Sequence, residues 1–235
     1  MSEAVGARRG GVSAHVIAFI VAAAAAFALL VVTDTDISVW QDFRRDVFVR
    51  DSYRLDEIAD IRFADSSPYA IWLSSDLFVW RSLRSGTLPL WDPAQAGGYS
   101  PLLNVQNGVM HPVRWMAVAV PFEHVPSFLI VLELLLLALG AHLMLARVFA
   151  LAPDASACGA LTLALCGYTM SVVQFSGALL PLLHVPWIVW AWFGWSETHR
   201  RRYAISMIGF VSLLFLAGHP LLIAVSVMTA ALSIV

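Results

Sequence analysis

Apolar runs of membrane-crossing length constrain this chain more than any other feature. They fall at about 15–33, 128–150, 155–174, 179–195, 203–218 and 221–235, and a bilayer core needs about 20 apolar residues per helix. The short alternating segments of a membrane β-barrel are not visible. The pattern predicts an all-α, polytopic membrane protein with about six transmembrane helices. Hydrophobic residues make up 60% of the chain and mean hydropathy is +0.77, whereas a soluble domain is about 45–50% apolar. The last run reaches Val235 with no cap and no flanking charge. It is short for a bilayer, so an N-terminal fragment of a longer protein is expected.

The arginines orient these runs. Arg8 and Arg9 precede the first, which is too long for a signal-peptide core and is followed by acidic residues rather than a small-residue cleavage site. It reads as an uncleaved signal anchor, with residues 1–14 in the cytoplasm. The outer loop is then 34–127, and 128–235 holds transmembrane helices 2–6, the last one truncated. Arg147 and His199-Arg200-Arg201-Arg202 fall inside, while Gly218-His219-Pro220 falls outside. Two arginine groups satisfy the positive-inside rule with one topology. The expected location is a bacterial inner membrane, multi-pass. Lys is absent and Ala abundant, which suits a GC-rich bacterial genome. A net charge of −2 excludes nucleic acid as a natural partner. Cys158 and Cys166 have a spacing that suits neither a zinc site nor a disulfide within one helix, and read as small packing residues.

The outer loop has distinct parts. Residues 34–65 carry nine acids, among them Asp34, Asp36 and Asp65, against five arginines. Residues 69–85 read as an amphipathic helix. Trp72, Asp76, Val79 and Leu83 share its apolar face, extended by Leu73 and Trp80, with Ser74, Ser75, Arg81 and Ser82 opposite. Such a helix lies in a membrane interface. The stretch Ser85–Gly108, SGTLPLWDPAQAGGYSPLLNVQNG, cannot be a regular helix, because Pro89, Pro93 and Pro101 remove backbone donors and its glycines permit positive φ. Asp92 is its only charge, and Trp91, Tyr99, Asn104, Gln106 and Asn107 offer stacking and neutral hydrogen bonding. Residues 109–122, broken by Pro112 and Arg114, read as a second interfacial or re-entrant element.

Several polar residues are candidates for chemistry. Asp76 sits inside the apolar stripe, where an unpaired carboxylate in lipid costs several kcal/mol. It must face a cavity or a partner, or pair with Arg81 or Arg84. Asp65 precedes Ser66-Ser67-Pro68 and also fits a helix cap or turn aspartate. His111 and His219 fall at the same face as Asp65 and Asp76, whereas His184, beside Pro186, reads as structural. No HExxH, CxxC, Walker or GxSxG motif is present.

The string from Arg84 to Pro112 resembles the YfhO-type bacterial membrane proteins, whose pattern has the form G-x-x-P-L-W-(N/D)-P, a Gly-containing turn, then N-x-Q-x-G and a nearby Pro. Gly86, Pro89, Leu90, Trp91, Asp92, Pro93, Gly97, Asn104, Gln106, Gly108 and Pro112 stand in the matching places. Asp65 matches an aspartate some twenty residues upstream, and Gly218-His219-Pro220 is similar to a later Gly-His-Pro. The resemblance covers roughly residues 65–225. It implies similarity to C-type glycosyltransferases, with many transmembrane helices, a large first outer loop and a polyprenyl-phosphate sugar as donor. It puts a general base, acceptor-binding or metal-binding role on Asp65, with Asp76 second. The acidic segment 37–64 departs from the pattern and makes Asp34 and Asp36 rivals.

The implied function is transfer of a sugar from a polyprenyl-phosphate donor to an acceptor at the outer face, with membrane lipids as further partners. The catalytic candidates are Asp65 and Asp76. Arg81, Arg84, Trp91, Asp92, Asn104, Gln106, His111 and His219 are substrate-binding candidates, and Arg114 adds positive charge at the same face. Acids of the outer loop could hold Mg²⁺ or Mn²⁺, but no ligand spacing is diagnostic. The competing expectation is a non-enzymatic flippase or assembly subunit for lipid-linked glycans. Spans two to five offer little polar lining for transport: Glu133, His142, Gln174 and His184.

Overall fold

A computed structural model describes residues 74–93, 97–173 and 178–218, with positions 223, 224, 226–228 and 231. The expected span at 15–33, most of that at 221–235, the acidic segment, Asp34, Asp36, Asp65 and His219 lie outside the described residues.

Within them the chain is all-helical. The elements are α1 (Ser74–Arg84), α2 (Pro112–Met116), α3 (Val125–Val148), α4 (Pro153–Ala164), α5 (Gly167–Val173), α6 (Leu179–Leu182), α7 (His184–Thr198) and α8 (Arg201–Leu216). Short 3-10 turns join them at Val105–Asn107, Ala117–Ala119 and Phe122–His124. A single antiparallel bridge, Asp92 to Tyr99, is isolated.

Residue chemistry explains these bounds. α3 is a leucine-rich run that starts next to Pro126, which tolerates an early helical position, and ends with Arg147 near its negative dipole end. Its 24 residues rise about 36 Å, more than the hydrocarbon thickness of a bilayer. α4 opens with Pro153 and Asp154, both suited to a first turn. Among the described residues two stretches, Val125–Val148 and Pro153–Val172, are long and apolar enough to cross a membrane. Six such helices are expected; the span at 15–33 and most of that at 221–235 lie outside the described residues, and those at 179–195 and 203–218 fall short for a local reason. The run at 179–195 is split at Leu183 into α6 and α7. α7 and α8 have 15 and 16 residues and rise only about 23 Å each.

α3 is central. It packs against α4 on one side and α7 on the other, and α7 packs against α8. Val113, Ala117, Val125, Leu129, Leu180 and Ala217 belong to one buried cluster, which therefore joins α2, the start of α3, α6 and the end of α8. Farther along, Trp187 Nε1 donates to the Leu136 carbonyl at 2.9 Å. Gly140 makes room for that indole, since a Cβ there would come within 2.5 Å of Trp187 Nε1.

The helices run between two ends. One is polar and aromatic: Arg147 of α3 bonds Glu197 of α7 at 2.9 Å and the Tyr203 hydroxyl at 2.8 Å. The Arg147 and Arg202 guanidiniums lie 4.6 and 4.8 Å from the centre of the Tyr203 ring. At the other end, where α3 and α7 begin and α8 finishes, sits the loop that follows α1. Along the sides, Leu161 and Leu163 of α4 and Ile205, Ile208 and Phe215 of α8 are exposed.

Candidate functional site

The loop is a folded hairpin. Asp92 and Tyr99 exchange backbone hydrogen bonds of 2.7 and 2.9 Å, and Leu102 N donates to Pro89 O at 3.3 Å. Gly98 adopts φ +109°, and a Cβ there would come within 2.3 Å of the Trp91 ring, so only glycine lets the indole lie over this turn. The inner face holds Pro89, Pro101 and Asp92, the last only 3% exposed. Expected to face a substrate, Asp92 is instead enclosed within the hairpin. Trp91 and Gln106 are exposed. Asn104 is half-buried and starts the Val105–Asn107 turn: its Oδ1 accepts from Gln106 N at 3.1 Å and its carbonyl accepts from Asn107 N at 3.0 Å.

Asn107 ties the hairpin to α1. Its amide Nδ2 reaches Ser75 Oγ at 3.0 Å, Tyr99 OH at 2.7 Å and Pro101 O at 3.3 Å. Ser75 Oγ and Tyr99 OH are also hydrogen-bonded to each other. This alters the reading of α1. Ser75 was expected on the polar outer face, yet it is fully buried under the loop. α1 is thus held by protein on two sides: Ser75 by the hairpin, and Trp80 by a 3.0 Å hydrogen bond from Nε1 to Val120 O and a tilted contact with Phe122. Arg81 and Arg84 are exposed at its end, with Arg84 4.8 Å from the Trp80 ring centre.

Asp76 has a partner, but not Arg81 or Arg84. Arg114 Nη1 lies 3.4 and 3.5 Å from its two carboxylate oxygens. The segment expected to be interfacial or re-entrant folds as α2 and the turns after it, which carry Arg114 inward until it is 7% exposed. Glu133 of α3 is also buried, and the charges of Arg114 and Asp76 both reach it. Arg114 Nε has no hydrogen-bond partner among the described residues. A cleft of about 20 Å³ opens here, lined by Asp76, Val79, Trp80, Leu83, Arg114 and Leu129. That is room for a single water molecule.

His111 caps α2, and its Nδ1 accepts from Val113 N at 3.3 Å. Its Nε2 lies 3.2 Å from Nε2 of His184, whose Nδ1 lies 2.8 Å from the Leu180 carbonyl. The two backbone groups assign the protons. Val113 needs an acceptor at His111 Nδ1, and Leu180 needs a donor at His184 Nδ1. His111 Nε2 therefore donates to His184 Nε2, and both rings are neutral. Burial, then His184, then the Arg114 charge push His111 down from 6.5 to about 3. His184, which reads as structural in the sequence, is the residue that occupies the His111 ring edge. No cluster of three or more His, Cys, Asp or Glu exists among the described residues.

Gly108 completes the docking. At φ +55° its missing Cβ would lie 2.9 Å from the Ala217 carbonyl, so the loop backbone touches the end of α8. Of the sequence candidates, Asp76, Arg81, Arg84, Trp91, Asp92, Asn104, Gln106 and His111 all belong to α1, the hairpin or the cap of α2, at one end of the bundle. Asp65 and His219 lie outside the described residues. The residues that hold this end together, Asn107, Ser75, Arg114 and His184, were legible as polar groups but not as partners. Both cysteines are free; Cys158 is exposed rather than packed, and Cys166 is half-buried. Comparison with known proteins yields no match to a family model, to a curated protein or to a solved structure.

Proposed function

We propose that this chain is an integral-membrane glycosyltransferase that moves a sugar from a polyprenyl-phosphate donor to an acceptor at the outer face of a bacterial inner membrane. The observation that carries the reading is the docking of the Trp91 hairpin onto the same bundle end as the Asp76–Arg114 pair. It gathers a carboxylate, exposed arginines and an open aromatic face where a headgroup-level substrate would arrive. In the reaction the acceptor oxygen bonds the anomeric carbon, the bond from that carbon to phosphate breaks, and polyprenyl phosphate departs with the electron pair. The acceptor proton passes to a carboxylate.

Asp65 is the proposed base. Asp76 is already held by the Arg114 guanidinium, 3.4 Å away. Asp76 fits better as an anchor for the acceptor. Arg81 and Arg84 would offset charge on the leaving phosphate. The test is transfer from a labelled polyprenyl-phosphate sugar by the full-length protein in nanodiscs. Asp65→Asn should lower the rate by at least about 100-fold with the thermal midpoint unchanged. Full activity in that variant removes Asp65 as the base. Absence of transfer by the wild-type protein from any lipid-linked sugar overturns the enzymatic reading.

A further inference from the structure

The hairpin sorts its side chains by polarity in an unusual direction. Its one charged residue, Asp92, is inside, and its large apolar residues are outside: Leu88 is 50% exposed, Leu90 59%, Trp91 59% and Leu103 80%. The Leu102-to-Pro89 hydrogen bond draws the two arms of the loop together at these residues, and Trp91 lies over Gly98. No charged side chain is exposed among the described residues from Ser85 to His111. Exposed arginines begin just before it, at Arg81 and Arg84. Exposed apolar residues continue from the hairpin to Met110, Trp115 and Met116. Through the Gly108–Ala217 contact they approach Phe215 and Leu216 at the end of α8, which are exposed as well.

We infer that the outer face of this hairpin is embedded in the lipid bilayer, at the boundary between headgroups and acyl chains. An apolar surface of this kind needs an occupant. The arrangement suits lipid: tryptophan at the tip, flanking arginines able to reach headgroup phosphates, and unbroken continuity with the apolar sides of the bundle. Asn107, Ser75 and Tyr99 then have a further purpose. They hold the polar inner side of the hairpin against protein, so that only its apolar side meets the acyl chains.

This inference rests on the multi-pass membrane reading and can fail separately from it. The experiment uses the full-length protein with Cys158 and Cys166 replaced by Ala, in phosphatidylethanolamine–phosphatidylglycerol nanodiscs. A nitroxide is attached through Leu103→Cys, or through Ile208→Cys on α8 or Gln106→Cys on the polar turn. Relaxation by oxygen, which concentrates in lipid, is compared with relaxation by a water-soluble nickel chelate. Oxygen should dominate at positions 103 and 208, and nickel at 106. A water-exposed label at 103 with a lipid-exposed label at 208 overturns the inference alone. Water exposure at both overturns the membrane reading with it. Protection of the 103 label from both reagents indicates a protein partner and also overturns the inference.

Discussion

Single residues set the chemistry at the bundle end, and His111 is the clearest case. Its neutral ring links the cap of α2 to His184, and protonation would set two N–H groups against each other. Its folded value is lowered to about 3 from 6.5, so the unfolded chain binds the proton more readily between those limits. The His111 contribution to unfolding free energy should therefore be constant above about pH 6.5 and fall as pH drops toward 3. Denaturant titrations across that range should give a shallower dependence in His111→Gln. The sequence shows a histidine after a Pro/Gly loop, and nothing more. Its partner is 73 residues away, a distance that no local pattern spans. Asp76 teaches the same lesson differently. Its place in an apolar stripe announces a buried partner, but the partner sits 38 residues on, on a helix too short to leave a periodic signal.

At the scale of elements, the hairpin depends on Asn107. Removing its amide leaves the Ser75 and Tyr99 hydroxyls and the Pro101 carbonyl without their shared donor. Asn107→Ala should cost about 2 kcal/mol, as for other buried polar groups left unsatisfied. Asn107→Asp should cost more, because a carboxylate only accepts. Hydrogen exchange would report the change as faster exchange at the Asp92, Tyr99 and Leu102 amides, with α3 unaffected. Turn chemistry made the non-helical loop legible from its prolines and glycines. Its inside and outside were not, because Asp92 as a lone charge suggests exposure, whereas it is buried. α1 was legible in position and helical period. Its polar face was misassigned at Ser75 because serine is buried without penalty once it is hydrogen-bonded.

The described residues form a bundle with unlike ends, one carrying Arg147, Arg200, Arg201 and Arg202 and the other the hairpin. If it spans the membrane as proposed, a membrane-impermeant maleimide should label Gln106→Cys on intact spheroplasts. It should label Arg202→Cys only after permeabilisation. Labelling of both from one side would break the alternating topology. The run lengths made α3 and the Pro153–Val172 stretch legible from composition alone; the split at Leu183 lies between Pro181 and Pro186, whose missing N–H groups interrupt the helix ladder within a run that hydropathy alone reads as one span. One contact between α3 and α7 has mechanical weight. In lipid, leucine gains nothing by leaving hydrocarbon for another leucine, so apolar packing alone leaves a helix pair free to slide. The indole of Trp187 works like a key in the slot at Gly140. A slip of one turn, about 5.4 Å, would drive it into Leu136, Leu137, Leu143 or Met144 and strand its N–H. The register between the two helices is therefore locked, and any motion that opens this end of the bundle must carry them as one rigid body.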